Sequence, residues 1–219
     1  MDDEQRTRAW EAAGARAAAL VEDGWRVGLG TGRAAAAGIR ALGERVAGGL
    51  RCTGVATSRS SAELAGSLGI PLADMGPPLH LAFDGADAVD PQGLVIKGAG
   101  GAHVRERVVA DAADRFLVLV DGPKMVASLD EWGALPLAVV PFAVARVMDR
   151  LAHHSPTLRE GASDDGMALV DLHPAPGGDW VGLAAEARAL AGVLDHGLFR
   201  VAAADVIVGA PDGTAASAG

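Results

Sequence analysis

Lys97 and Lys124 are the only lysines among nineteen Lys and Arg side chains. Each stands where an apolar run gives way to glycine, in "VIKGAGG" and "VLVDGPK". In a chain this biased toward arginine, a retained ammonium points to a task for a compact charge, such as donating to an oxyanion or a phosphate, that a planar guanidinium does less well. Upstream, "FDGAD" sets Asp84 and Asp87 around a glycine at the end of an apolar stretch, and Glu106 follows in "VRERV". Two close carboxylates can share a proton or divide acid and base roles between them. The same residues also admit a plainer account, in which Asp and Gly build a turn and the two lysines are solvated surface groups.

A second constellation is "GLGTGRAAAAG". A strand, a glycine turn and a helix start together make a place where backbone N–H groups face an anion. Gly30, Gly32 and Ala35 satisfy the loose dinucleotide fingerprint, yet the stretch about 20 residues on, "VATSRSS", has no carboxylate for a ribose. A phosphate or other small anion fits this loop better than a nucleotide. A tight turn that needs glycine only for packing remains open.

These residues must be carried by elements that put them at strand ends. Ala9, Trp10, Ala13, Ala17, Leu20 and Val21 recur at helical spacing, and "EDG" closes that helix. "RVGLG" reads as a strand, "RAAAAGIRALGERV" as a helix, "LRCTGVA" as a strand and "SSAELAGSLG" as a helix capped by serine. "LHLAFDGAD", "GLVIKG" and "RFLVLVD" add three apolar runs. Strand and helix alternation of this kind predicts a parallel sheet with helices on its faces and a ligand site at the carboxyl ends of the strands, which would place Asp84, Asp87, Lys97 and Glu106 on one rim. Beyond "LPLAVVPFAV" come a helix near 143–152, a strand "MALVDLH", a helix around "LAAEARAL", a strand near "GVLDHGLF" and a run "ADVIVGA". With turns expected at "REGASDDG" and "HPAPGGD", this part predicts a small α+β unit, and the last run is expected to return to the first sheet. The fold class is therefore α/β, with a first domain over 1–128 that regains 203–219 and a second over 129–202; the tail "DGTAASAG" is expected to fray.

Half the residues are apolar and the net charge is −9, so a nucleic-acid partner is not expected. Neither a signal-peptide core nor an apolar span of about 20 residues is present, and the expectation is a cytoplasmic protein without membrane contact. Cys52, the single cysteine, reads as a buried strand residue. No metal set emerges from the histidines: His153 and His154, taken as neighbours on a helix, point apart, and His80, His103, His173 and His196 are isolated. No "GxSxG" elbow is present.

Taken in order, "VGLGTG", "ATSRSSAELAGSLGIPL", "FDGADAVD", "LVIKGAGGA", "RERVVA", "FLVLVDGPK", "LPLAVVPF" and "GLFRVAAADVIVGAPDG" resemble the type A ribose-5-phosphate isomerases over nearly the whole chain. The resemblance implies a Rossmann-like first domain, a smaller α+β second domain, a homodimer or larger assembly such as a tetramer, and no metal or organic cofactor. It implies interconversion of ribose 5-phosphate and ribulose 5-phosphate through a cis-enediol in the non-oxidative pentose phosphate pathway. Glu106 matches the base that moves a proton between C2 and C1. Asp84 and Asp87 match groups that assist ring opening and handle protons on the sugar oxygens, Lys97 the cation beside the enediolate, and Lys124 a contact to the sugar phosphate. Thr31, Gly32, Arg33, Ala34, Gly85, Ala86, Gly98, Ala99 and Gly100 fall in the substrate-binding loops. A carboxylate near a carbon acid and a cation at the oxygen that gains charge are what such chemistry needs.

Five positions depart from the family pattern. The loop usually reads "GTGST" and here reads "GTGRA", with Arg33 and Ala34. Trp10 replaces a first-helix lysine, and Ala88 and Ala138 replace acidic residues. The alternatives are the same chemistry on a different sugar phosphate, or a sugar-phosphate-binding protein without turnover.

Overall fold

The computed structural model describes all 219 residues. The chain divides into two compact units, the first made of 1–86, 105–125 and 201–219 and the second of 87–104 and 126–200.

The first unit is built on a six-stranded sheet. Its strands are β1 (Trp25–Leu29), β2 (Cys52–Ala56), β3 (Leu81–Gly85), β6 (Phe116–Asp121), β12 (Val206–Gly209) and β13 (Ala215–Ser217), in the order β13-β12-β6-β3-β1-β2. All neighbours are parallel except β13, which runs antiparallel to β12. The expected return of "ADVIVGA" to this sheet is therefore found. The expected fraying of the tail is not, because "AAS" pairs with β12 through Ile207, Val208 and Gly209.

Alternation along the strands sorts the two faces. Val27, Leu29, Leu81, Phe83, Leu117 and Leu119 face one core with the helices α1 (Asp3–Ala19), α2 (Arg33–Ala47) and α3 (Arg59–Ser67). Small residues let α1 and α2 cross closely: a side-chain carbon at Gly14 would lie 2.5 Å from the Gly38 nitrogen. Gly28 and Ala82 point the other way and receive α4 (His103–Asp111), with Val109 packed into the space that Gly28 leaves open. Glycine at 28 therefore sets how deeply the helix that carries Glu106 can sit.

In the second unit, β10 (Val193–His196), β7 (Leu135–Val139), β9 (Ala168–Leu172) and β8 (Thr157–Ala162) form an antiparallel sheet in that order. Its core includes Leu137, Val170, Leu172 and Val147 of α5 (Val144–Arg150), with Trp180, Leu183 and Ala187 of α6 (Trp180–Arg188). A second, three-stranded sheet orders β11 (Leu198–Arg200), β5 (Leu94–Ile96) and β4 (Ala88–Val89). Asp90 shapes the hairpin between β4 and β5, accepting from the N–H groups of Gln92 and Leu94, while Gly93 supplies φ +76°. A hairpin this short can pair only antiparallel strands. The reading of "GLVIKG" as one more strand of the parallel sheet is thereby overturned: β5 pairs antiparallel with β4 and β11.

Candidate active site

In the first unit, β2 and β3 flank β1 on opposite sides, so chain direction across the sheet reverses there. Such a switch point opens a crevice at the carboxyl ends of the strands, and the glycine loop and Asp84 occupy it. Gly30 donates to the Phe83 carbonyl, and the Asp84 Oδ1 accepts from the N–H groups of Thr31 (2.8 Å) and Gly85 (2.7 Å). A side-chain carbon at Gly30 would lie 2.2 Å from the Asp84 carboxyl carbon. Glycine is required at 30 for this approach, and Gly32, at φ +98°, is required for the turn into α2. Hydroxyls tie the loop to the end of β2: Thr31 Oγ1 lies 2.7 Å from Thr57 Oγ1 and 3.4 Å from Ser61 Oγ.

Arg33 opens α2 with its guanidinium over the ring of Trp10, 4.4 Å from the centroid, so two of the five departures from the family pattern are one stacked pair. With Thr7, Glu11, Arg40 and Glu44 they line an open groove of about 560 Å³ between α1 and α2. Ala34, the other altered loop position, is buried.

Glu106 lies in the first turn of α4 and is only 5% exposed, and Asp84 is 2% exposed. A carboxylate in the first helical turn sits where the helix dipole favours negative charge. Lys124 is half-buried in a 3-10 turn, Gly122–Lys124, that directly follows β6. Asp121, at the end of β6, is buried and faces Arg6 of α1 at 3.5 Å. Cys52 lies in β2 as expected, and burial pushes its thiol pKa up.

In the second unit, Lys97 is 2% exposed and continues from β5, its N–H bonded to the Gly197 carbonyl at 2.8 Å. The loop Gly98-Ala99-Gly100-Gly101 is held from two sides. The Asp87 carboxylate accepts from the Ala99 N–H at 2.9 Å. From β8, Arg159 Nη1 donates to the carbonyls of Gly98 (2.8 Å) and Ala99 (3.2 Å), while its Nε and Nη2 form a fork on Asp171, each at 2.6 Å. Beneath the loop the His103 ring occupies the place a side chain at Gly98 would need, 2.4 Å from its built carbon. Burial holds the His103 imidazole at a pKa of about 4, and the nearby Arg159 guanidinium pushes the same way. Apart from a loose approach to the Gly98 backbone, its nitrogens find no hydrogen bond.

The structure thus places Thr31, Gly32, Arg33, Ala34, Asp84, Gly85, Ala86, Glu106 and Lys124 in the first unit, and Asp87, Lys97, Gly98, Ala99 and Gly100 in the second. Sequence reasoning missed Thr57, Ser61, Arg159 and Asp171. The hydroxyl-rich "ATSRSS" directly after a strand signalled the first two, but Arg159 carried no signal in a segment that reads as a turn. His153 and His154 require a correction as well. They end a 3-10 turn, Ala152–His154, their rings are 4.0 Å apart, and both reach Glu186 instead of pointing apart.

Residues 53–213 match the family described as ribose 5-phosphate isomerase A (phosphoriboisomerase A). The chain is 44% identical to ribose-5-phosphate isomerase A of Thermomicrobium roseum over 94% of its own length and 92% of that protein's. It is 43% identical to the Haloarcula marismortui protein of the same name, over 93% and 92%. Among solved structures, ribose 5-phosphate isomerase A from Methanocaldococcus jannaschii superposes with a TM-score of 0.87 at 32% identity, covering 95% of this chain and 98% of that one. A D-ribose-5-phosphate isomerase in complex with phospho-erythronic acid gives 0.89 at 30%, covering 99% and 100%. With its glycine loop, its buried carboxylates and this similarity over nearly its full length, the chain belongs to the ribose 5-phosphate isomerase A family.

Proposed function

We propose that this enzyme interconverts D-ribose 5-phosphate and D-ribulose 5-phosphate through a cis-enediol, without a metal, as a cytoplasmic homo-oligomer of the non-oxidative pentose phosphate pathway. The observation that carries the reading is the burial of Asp84, Lys97 and Glu106, at 2%, 2% and 5% exposure, in a member of this family. Ionisable groups buried to this degree are costly for a fold and mark functional sites. The phospho-erythronic acid held by one relative is a phosphorylated sugar acid, which supports a phosphorylated carbohydrate as ligand.

In the open-chain aldose, Glu106 takes the C2 proton. The C1–C2 bond becomes double as the carbonyl electrons move to O1, where Lys97 offsets the developing charge. O1 then gains a proton and O2 loses one, with Asp84 and Asp87 handling these transfers. Return of the carbon-bound proton from Glu106 to C1 leaves the ketone at C2. Thr31, Gly32, Arg33 and Ala34 of the loop, together with Lys124, hold the phosphate. Gly85, Ala86, Gly98, Ala99 and Gly100 present backbone to the sugar.

Conversion of ribose 5-phosphate in the presence of EDTA tests the reading. Glu106→Gln should lower turnover by roughly 100-fold or more with little change in KM, because it removes the base and keeps its size. Turnover near that of the parent would remove Glu106 as the base. The stacking of Arg33 on Trp10 favours a second reading in one respect, because it changes the loop expected to hold the phosphate. A parent chain that ignores ribose 5-phosphate but turns over another phosphorylated aldose would establish the same chemistry on a different sugar.

A further inference from the structure

We propose that His153, His154 and Glu186 form a binding site for one divalent transition-metal ion, zinc by preference, on the second unit. The two imidazole Nε2 atoms reach the two oxygens of one carboxylate, His153 at 3.2 Å from Oε1 and His154 at 3.1 Å from Oε2. All the donor atoms lie within 4.8 Å of one another. Tetrahedral zinc with bonds of about 2.0–2.2 Å needs its donors about 3.3–3.5 Å apart, so closing on an ion asks for shifts of an ångström or so in three partly exposed side chains. Two imidazoles, one carboxylate and a water would complete a four-coordinate set of ligands that suits zinc and excludes calcium or magnesium, which want oxygen alone.

The backbone holds the pair in place from both ends. After α5 the chain tightens into the 3-10 turn, and Ser155 ends it at φ 49°, the only non-glycine residue of the chain with positive φ. The His154 carbonyl accepts from the His173 N–H at 2.7 Å. His173 sits beside the cluster without joining it, because its Nε2 lies 3.1 Å from the Thr157 hydroxyl and its Nδ1 3.1 Å from the Gly133 carbonyl. Glu186 projects from α6, which is anchored in the core by Trp180, Leu183 and Ala187.

Binding requires a lone pair on each Nε2. A neutral ring supplies it by carrying its proton on Nδ1, so binding fixes the tautomer of both rings. None of the three residues belongs to the proposed catalytic set, and the site is independent of that reading.

Titration calorimetry of the metal-free chain with zinc chloride at pH 7.5 in a non-chelating buffer tests the proposal. One zinc per chain should bind, with affinity in roughly the micromolar range expected of three partly exposed ligands. His154→Ala and Glu186→Gln should each weaken binding by about 10-fold or more, while His80→Ala leaves it unchanged. Cobalt(II) should give the intense visible bands of tetrahedral coordination in the parent and lose them in both variants. Thermal unfolding in EDTA shows whether each variant is folded, and Glu186→Gln, which keeps size on an exposed helix face, serves if His154→Ala is not. Absence of saturable zinc binding up to about 100 times the micromolar range overturns the proposal. So does binding that either folded variant retains at parental strength.

Discussion

Replacing Arg159 by lysine removes a fork and keeps a charge. The arginine makes two contacts of 2.6 Å with Asp171 and two with the carbonyls of Gly98 and Ala99, at 2.8 and 3.2 Å. An ammonium can satisfy one side of this arrangement, not both. A hydrogen bond to a charged group contributes about 1.5–3 kcal/mol where water is excluded. Here the side chains are 22% and 15% exposed, so solvent recovers part of that, and the net loss comes to about 2 kcal/mol. The carbonyls that lose their donor follow directly on Lys97. If the held conformation of this loop is what catalysis uses, kcat falls by roughly 30-fold, at 1.36 kcal/mol per decade, with KM little changed. Steady-state kinetics of ribose 5-phosphate conversion, with thermal unfolding in parallel, separates positioning from simple stability. Asp171→Asn should give a similar loss, and the double variant should lose less than the sum of the two. A lysine variant with parental kcat and a lowered Tm would refute the reasoning and leave Arg159 a structural clamp.

Lys97→Arg should lower kcat by at least about 10-fold, because a larger planar group must enter a site that leaves the present side chain 2% exposed; kinetics matching the parent would exclude Lys97 from contact with the reacting atoms. Arg33→Ala should raise KM for ribose 5-phosphate by about 10-fold as charged hydrogen bonds to phosphate are lost. An unchanged KM would mean that the guanidinium serves only to cover Trp10. His103 predicts a pH dependence of stability. Its folded pKa of about 4 lies below the ordinary value of 6.5, so the unfolded chain binds the proton more readily, and stability falls as pH drops from about 6.5 toward 4, by up to about 3 kcal/mol. Urea unfolding of His103→Gln at several pH values should show a shallower decline, and a slope identical to the parent's would assign the acid sensitivity to other groups.

The parallel sheet was legible because its strands are buried on both faces and read as apolar runs ending at glycine or aspartate, as in "FDGAD" and "VLVDGPK". What could not be read is instructive in each case. Strand β8, "TLREGA", is exposed along nearly its whole length, so it lacks the alternation that betrays a half-buried strand, and Arg159 was hidden with it. Strand β13 is three small residues at a sheet edge, where pairing with β12 and not side-chain burial specifies the structure. The short apolar run of β5 has the same composition in a parallel or an antiparallel sheet, and only the turn chemistry of Asp90 and Gly93 discriminates. The ionisable residues at the loops were legible by type and position. Their supports, Thr57 and Ser61 for one loop and Arg159 with Asp171 for the other, are brought in by tertiary contacts that spacing does not encode. His153 and His154 were misjudged because a 3-10 turn, not an α-helix, sets their directions.

The pairing of β12 with β6 also fixes an order of events during synthesis. Asp121 ends β6 and Val206 begins β12, 85 residues later (206 − 121 = 85). At about 5–20 residues per second, the ribosome takes about 4–17 seconds to supply the strand that covers that edge. Throughout this interval the open side of β6, with the apolar sequence "FLVLVD", offers unpaired backbone to any passing strand. Segment 126–200, with its own core around Leu137, Val170 and Leu183, emerges meanwhile and can condense first. The second unit can therefore be complete before the first, and the edge of β6 is open for the whole of that interval.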